Sequence, residues 1–395
     1  MRRPAGIASG FIIMMRQSIM LTALAIALLV TGGDPPATAF AQGGSEASRV
    51  AGRVLAVPRI KAAPGFSARI VVPPGDLYDP LQMVPRGDQV WVNDDGGEAG
   101  KGGGRLVAVD RLGKVSVLAG PENMLPDVGM DEATENFGAF GGQIFLLTQP
   151  AAGEKGLWAN HLIQHWNPEN RRLELFCTLP PAGKVGNGKG AAGSALWFGP
   201  PQSPFGGRIF VVTTSNHMIY QAAKDGKCTP FADFGDLGLP LELTFTPDHQ
   251  WMLVSVTPTT AAGAPDAAAR RGMIMKVSAK GEIEPKPLVW GLGIAGGMAF
   301  APRDFGRYGG QLFFTDLGEF QTPVPMTQAL RADGTIVRFS HGGIPELVAS
   351  GFVNPLHLRF IGNKLWVSDL NGDFLGGKRE LPDGFIVEIS ASPKQ

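Results

Sequence analysis

The chain has 395 residues, 44% of them hydrophobic and 18% charged, with 35 basic and 35 acidic side chains. That length suffices for one large domain or two ordinary ones with a real core, and the balanced charge points away from a nucleic-acid partner. With 55 Gly and 32 Pro scattered between short apolar runs and no sustained helical period, the pattern is that of many tight turns in an all-β protein.

Residues 1–41 read as a signal peptide. Arg16 precedes the apolar run 19–30, and Ala39-Phe40-Ala41 before Gln42 fits a small-x-small cleavage site. Met14 and Met15 offer later starts with more ordinary signal proportions. The run is short for a membrane span, and no second run of spanning length follows. The mature protein is therefore expected in the bacterial periplasm or outside the cell, as a monomer without a stable membrane span. Cleavage removes three basic residues and one acidic, leaving a net charge of −2. Residues 42–61 read as a linker or arm.

From residue 62 onward the chain repeats itself. The inner hairpins are LQMVPRGDQVWVND ending at Asp94, a stretch beginning FGAFGGQIFLLT at Phe137 and ending at Thr148, and LWFGPPQSPFGGRIFVVT ending at Thr213. LELTFTPDHQWMLVS follows to Ser255, then MAFAPRDFGRYGGQLFFTD to Asp316 and LHLRFIGNKLWVSD to Asp369. An outer hairpin follows each, except that the last repeat has only GFIVEIS, and residues 66–72 supply its missing strand. The predicted fold is a six-bladed β-propeller over 62–395, closed by an N-terminal strand joining the last blade, a device that removes sheet edges. Cys177 and Cys228 are the only cysteines. They fall on outer segments of neighbouring repeats at different heights, and an oxidising compartment permits a disulfide between them.

Strand order in a propeller puts the starts of inner strands, the ends of second strands and the loops that follow them on one face. The second strands end in Asp94, Thr148, Thr213, Ser255, Asp316 and Asp369, all oxygen-bearing. They form either a polar collar at the channel mouth or turn punctuation. The inner strands start at Gln82, Gly129 or Met130, Ala195, Glu242, Gly297 and His357. Asp94, Asp316, Asp369 and Glu242 then converge on one sector, and mutually repelling carboxylates suit a hard divalent cation such as Ca²⁺. The alternative is pairing with loop Arg and Lys. His161 and His217 head third strands, where they either flank a substrate or cap turns. Lys101, Lys155, Arg270, Arg271, Arg331, Lys378 and Arg379 populate the loops of that face, a basic rim suited to an anionic sugar-like substrate. The GxGxxG match at 188–193 follows a Pro-rich turn and leads into a strand, so it lacks dinucleotide-binding context.

The phrases GMAFAPRDFGRYGGQLFFTD and GFVNPLHLRF…KLWVSD resemble the blades of six-bladed propellers of the regucalcin/gluconolactonase group and of soluble quinoprotein sugar dehydrogenases. The first resemblance implies a divalent-cation-dependent hydrolase of a lactone or related ester. Its metal would be held by Asp94, Asp316, Asp369 and Glu242, with His357, Glu242 or Asp369 as base and Gln82, His161, His217 and Arg331 toward the substrate. The second implies a PQQ-dependent sugar or alcohol dehydrogenase, with Arg or Lys gripping the quinone carboxylates and His357, His161 or His217 as base. A non-catalytic propeller that binds a ligand or protein is the third reading.

Overall fold

The computed structural model describes residues 48–50, 53–55, 57–95, 104–120, 124, 127–148, 161–180, 193–214, 216–258, 272–317, 334–340, 343–370 and 382–392. The expected signal peptide and the first residues of the linker, 42–47, lie outside these, as do the glycine-rich loop 188–192 and the basic rim with Arg331. Among the described residues no helix is long and apolar enough to cross a membrane.

Ahead of the propeller, β1 (Ser48–Val50) and β2 (Arg53–Leu55) pair as a hairpin, and β3 (Lys61–Ala62) and β4 (Phe66–Leu77) follow. Blade 1 is β5 (Pro80–Arg86), β6 (Gln89–Asp95), β7 (Gly104–Val109) and β8 (Val115–Ala119). Blade 2 is β9 (Asp127–Glu132), β10 (Ile144–Thr148), β11 (Leu162–Asn167) and β12 (Arg172–Thr178). Blade 3 is β13 (Gly193–Phe198), β14 (Arg208–Thr213), β15 (Met218–Ala223) and β16 (Cys228–Asp233). Blade 4 is β17 (Leu239–Phe245), β18 (Met252–Thr257), β19 (Gly272–Val277) and β20 (Val289–Leu292). Blade 5 is β21 (Ala295–Phe300), β22 (Leu312–Asp316), β23 (Gly334–Phe339) and β24 (Pro345–Phe352), with β3 added on its outer edge. Blade 6 is β25 (Pro355–Ile361), β26 (Lys364–Asp369) and β27 (Gly384–Ala391), and β4 pairs antiparallel with β27 as its outer strand. The inner strands touch in the closed order β5, β9, β13, β17, β21, β25 and back to β5.

Strand alternation explains the core. Successive side chains point to opposite faces of a sheet, and both faces of every blade meet a neighbour. In β10, Ile144 and Leu146 pack toward blade 1, while Phe145 and Leu147 pack toward blade 3. Each of the six gaps between blades thus holds its own apolar layer. The aromatic-Gly-Gly repeats belong to this layering. Phe137, Phe205 and Phe305 are fully buried between blades. The second glycine of each following pair, Gly142, Gly207 or Gly310, has a φ of 70° to 79°, the left-handed turn that favours Gly. Cys177 on β12 and Cys228 on β16 are disulfide-bonded with Cα atoms 6.5 Å apart, which joins blades 2 and 3 through their outermost strands.

Two further glycines set the shape of the channel. A Cβ on Gly129 would lie 2.7 Å from the backbone nitrogen of Leu196, and one on Gly297 would lie 2.7 Å from that of Leu358. The inner strands of blades 2 and 3, and of blades 5 and 6 opposite them, therefore pack backbone to backbone.

Candidate active site

Side chains from four blades, and a backbone carbonyl from a fifth, meet in one polar cluster. Glu242 on β17 and His357 on β25 are 5% and 1% exposed, and His357 Nδ1 lies 3.0 Å from Glu242 Oε2. The other carboxylate oxygen, Oε1, accepts the Trp197 indole N–H at 2.5 Å and the Leu243 backbone N–H at 2.9 Å. Trp197 also faces the imidazole, with ring centroids 5.7 Å apart. Beyond it, the Arg359 guanidinium stacks 5.0 Å from the indole centroid and donates from Nη1 to Asp131 Oδ1 and to Met83 O, both at 2.9 Å. Asp131 Oδ2 accepts the Phe198 N–H at 2.9 Å, which ties blade 2 to blade 3.

The chemistry follows from the donor pattern. A carboxylate on Nδ1 fixes the proton there and leaves Nε2 as the basic nitrogen. His357 Nε2 is buried and has no hydrogen-bond partner among the described residues. An unsatisfied buried polar atom beside a carboxylate-anchored imidazole marks a functional candidate, because leaving such a group unpaired carries a real energetic cost.

Out of the expected set the structure joins Glu242 to His357, while Arg331 lies outside the described residues. Asp94 accepts from Tyr78 N at 2.9 Å and forms an ion pair with Arg105. Asp369 accepts from the backbone N–H groups of Val353 and Asn354, both at 2.9 Å. Asp316 accepts from Gly293 N at 3.3 Å. All three carboxylates thus fasten the chain arriving from the preceding blade, which is the turn-punctuation reading. Ser255 is out of step with the collar. It pairs with Glu242, one position inward, whereas Asp94 and Asp369 pair with Pro80 and Pro355; Val256, opposite Pro240, is their counterpart. Blade 6 carries the same register shift between Pro355 and His357, so Ser255 corresponds to Ser368, and the second strand of blade 4 continues past it to Thr257. Among the described residues no three His, Cys, Asp or Glu side chains stand together as a metal site. Asp94, Asp316, Asp369 and Glu242 do not fit a shared divalent cation, so no catalytic step is routed through one.

Gln82 spends its side-chain carbonyl on structure, accepting from Met130 N at 2.7 Å and Leu196 N at 3.1 Å. His217 adopts a left-handed turn with φ of 59°, and its Nδ1 lies 2.7 Å from Gly235 O, so it caps that turn. The quinone reading needs cations free to hold carboxylates; Arg359, the guanidinium at the centre of the cluster, is already engaged by Asp131 and Met83.

His161 is fully buried, and burial pushes its imidazole down to about 3. His217 is displaced downward too, again chiefly by burial. In the unfolded chain such a group takes up its proton near pH 6.5, so its contribution to stability is complete above that pH. It is lost as pH falls toward 3, at about 1.4 kcal/mol per pH unit. Urea titrations between pH 7 and 4 should show this slope in the wild type and a shallower one in His161→Leu; equal slopes would refute the assignment.

Trp197, Arg359 and Asp131 escape the sequence reading, although two signals point to them. Strand alternation places 131, 197 and 359 two positions beyond the inner-strand starts Gly129, Ala195 and His357, on the same faces. The tripeptides Pro80-Leu81-Gln82, Pro240-Leu241-Glu242 and Pro355-Leu356-His357 also mark three inner strands that begin alike and end on a polar residue.

No protein-family model matches the sequence, and no curated protein matches it. Solved structures do. A glucose dehydrogenase is 14% identical, with 82% of this chain and 100% of that chain covered and a TM-score of 0.56. The soluble aldose sugar dehydrogenase of Escherichia coli, in its apo-form, is 13% identical over 83% of this chain and 100% of its own, with a TM-score of 0.55. A gluconolactonase of Xanthomonas campestris is 13% identical over 85% of this chain and 95% of its own, with a TM-score of 0.52. At these identities the likeness is one of fold, and that fold is the six-bladed propeller of the type expected from the repeats.

Proposed function

We propose that the protein is an exported hydrolase that opens a lactone, or cleaves a related ester, of a small sugar-like molecule. The observation that carries this reading is the buried Glu242–His357 pair, whose imidazole Nε2 has no partner among the described residues. His357 Nε2 takes a proton from water as the water oxygen bonds to the carbonyl carbon. The ring C–O bond then breaks, and the departing alkoxide recovers the proton from the imidazolium. Glu242 holds the imidazolium charge throughout, as carboxylate partners of catalytic histidines do. The product is a hydroxy acid, which releases one proton at neutral pH.

The test is a pH-stat assay of the mature protein on a panel of aldonolactones, with and without Ca²⁺ and after EDTA treatment. Acid release that depends on His357, and is lost in His357→Ala, supports the reading; hydrolysis indifferent to His357 sinks it. A second reading shares the same base. The sugar dehydrogenases among the similar folds favour a hydride-removing enzyme in which His357 deprotonates a sugar hydroxyl. PQQ added to the protein should then produce a bound chromophore and dye reduction with aldoses.

A further inference from the structure

We propose that Trp197 is a positioning residue that fixes the Glu242 carboxylate, and through it the aim of His357 Nε2. The proposal rests on the reading of Glu242–His357 as the catalytic base. It extends that reading to a side chain on a blade that carries neither member of the pair. Glu242 is asymmetrically bonded. Both of its neutral donors, the Trp197 indole N–H at 2.5 Å and Leu243 N at 2.9 Å, converge on Oε1. Oε2 is left facing His357 Nδ1 at 3.0 Å. With Oε1 occupied from two directions the carboxylate cannot rotate about its terminal bond without breaking both contacts, so Oε2 stays in the imidazole plane's reach. Hydrogen bonds to an ionised acceptor are among the stronger ones available to a side chain.

The indole is itself held on two sides. The imidazole lies against it at 5.7 Å between centroids, and the Arg359 guanidinium stacks at 5.0 Å. Arg359 cannot drift, because Nη1 is bonded to Asp131 and to the backbone of Met83. Contacts thus run from blades 1 and 2 through Arg359 and Trp197 to a base built from blades 4 and 6. A tryptophan that served packing alone would have no need to direct its only polar atom at the base's carboxylate. Trp197→Phe keeps an aromatic ring at the position while removing the N–H, at the cost of part of the indole's volume, so it tests the hydrogen bond with the least loss of packing.

The experiment has an arm that needs no substrate. In ¹⁵N-labelled protein, the His357 Nδ1–H and Trp197 indole N–H signals are followed in the wild type, in Trp197→Phe and in Glu242→Gln. The expected result is that Trp197→Phe shifts the His357 Nδ1–H signal and speeds its exchange with water. Glu242→Gln should move the wild-type indole signal. An unchanged His357 Nδ1–H in folded Trp197→Phe overturns the proposal. Should that variant not fold, an indole signal indifferent to Glu242→Gln overturns it instead. In the kinetic arm, Trp197→Phe is expected to lower kcat of lactone hydrolysis by about 10- to 100-fold, with KM unchanged. A change confined to KM also overturns it. A wild type inactive on lactones refutes the hydrolase reading alone, since the N–H signals report the positioning directly.

Discussion

Glu242→Ala is expected to lower the unfolding free energy by about 3–5 kcal/mol, the usual cost of removing one partner from a buried pair. Three donors lose their acceptor together: His357 Nδ1, the Trp197 indole N–H and Leu243 N. Glu242→Gln keeps the shape and one acceptor oxygen, so its stability loss should be clearly smaller. Its activity loss should not be, because a neutral amide neither holds an imidazolium nor dictates which nitrogen carries the proton; about 10²–10⁴-fold in kcat is expected. Denaturant titration of both variants separates the two effects. Equal stability of Glu242→Ala and wild type would mean that the pair is not formed in solution.

Gly297→Ala is the second large effect. The added methyl would meet Leu358 N at 2.7 Å and His357 Cα at 2.8 Å, backbone atoms that cannot swing aside as a side chain would. Overpacking of this kind costs about 2–3 kcal/mol. The strain also falls on the strand that carries the base, and a displacement of about 1 Å in a reacting group costs about 100-fold in rate. Gly129→Ala, with Leu196 N at 2.7 Å, should be destabilising to a similar degree while acting on Gln82 and Trp197 instead. Gly310→Ala is the control. Its Cβ would meet nothing within 4 Å, and only the φ of 79° opposes it, so a loss of about 1 kcal/mol and full activity are expected. If Gly297→Ala behaves like Gly310→Ala, the close approach of blades 5 and 6 is not required.

The propeller was legible in the sequence because its blades repeat turn chemistry, and turn chemistry is local. Phe305-Gly-Arg-Tyr-Gly-Gly needs only its own glycines and buried aromatic to declare an inner hairpin, and Phe137 repeats it. The pairing of Glu242 with His357 was half legible. Both stand out as polar residues at inner-strand starts, yet their contact spans 115 residues and depends on how far the channel closes. Closure is set by Gly129 and Gly297, which in sequence look like any other glycine. The Asp residues at second-strand ends misled for a different reason. They recur because each fastens backbone, and recurrence alone does not say whether a carboxylate faces the channel or the incoming chain. Blade 4 shows the remaining limit: its second strand runs on past Ser255 to Thr257, so Ser255 lies beside Glu242 as Ser368 lies beside His357, and a continuous apolar run does not mark where the strand ends.

Glu242 and His357 are proposed to act together as a hydrolytic base. pH-stat hydrolysis of an aldonolactone by the purified mature protein and by its Glu242→Gln variant, at saturating substrate, tests this. The wild type should release acid catalytically, and kcat should be about 10²–10⁴-fold lower in a variant that remains folded. Equal rates in the two proteins would contradict it.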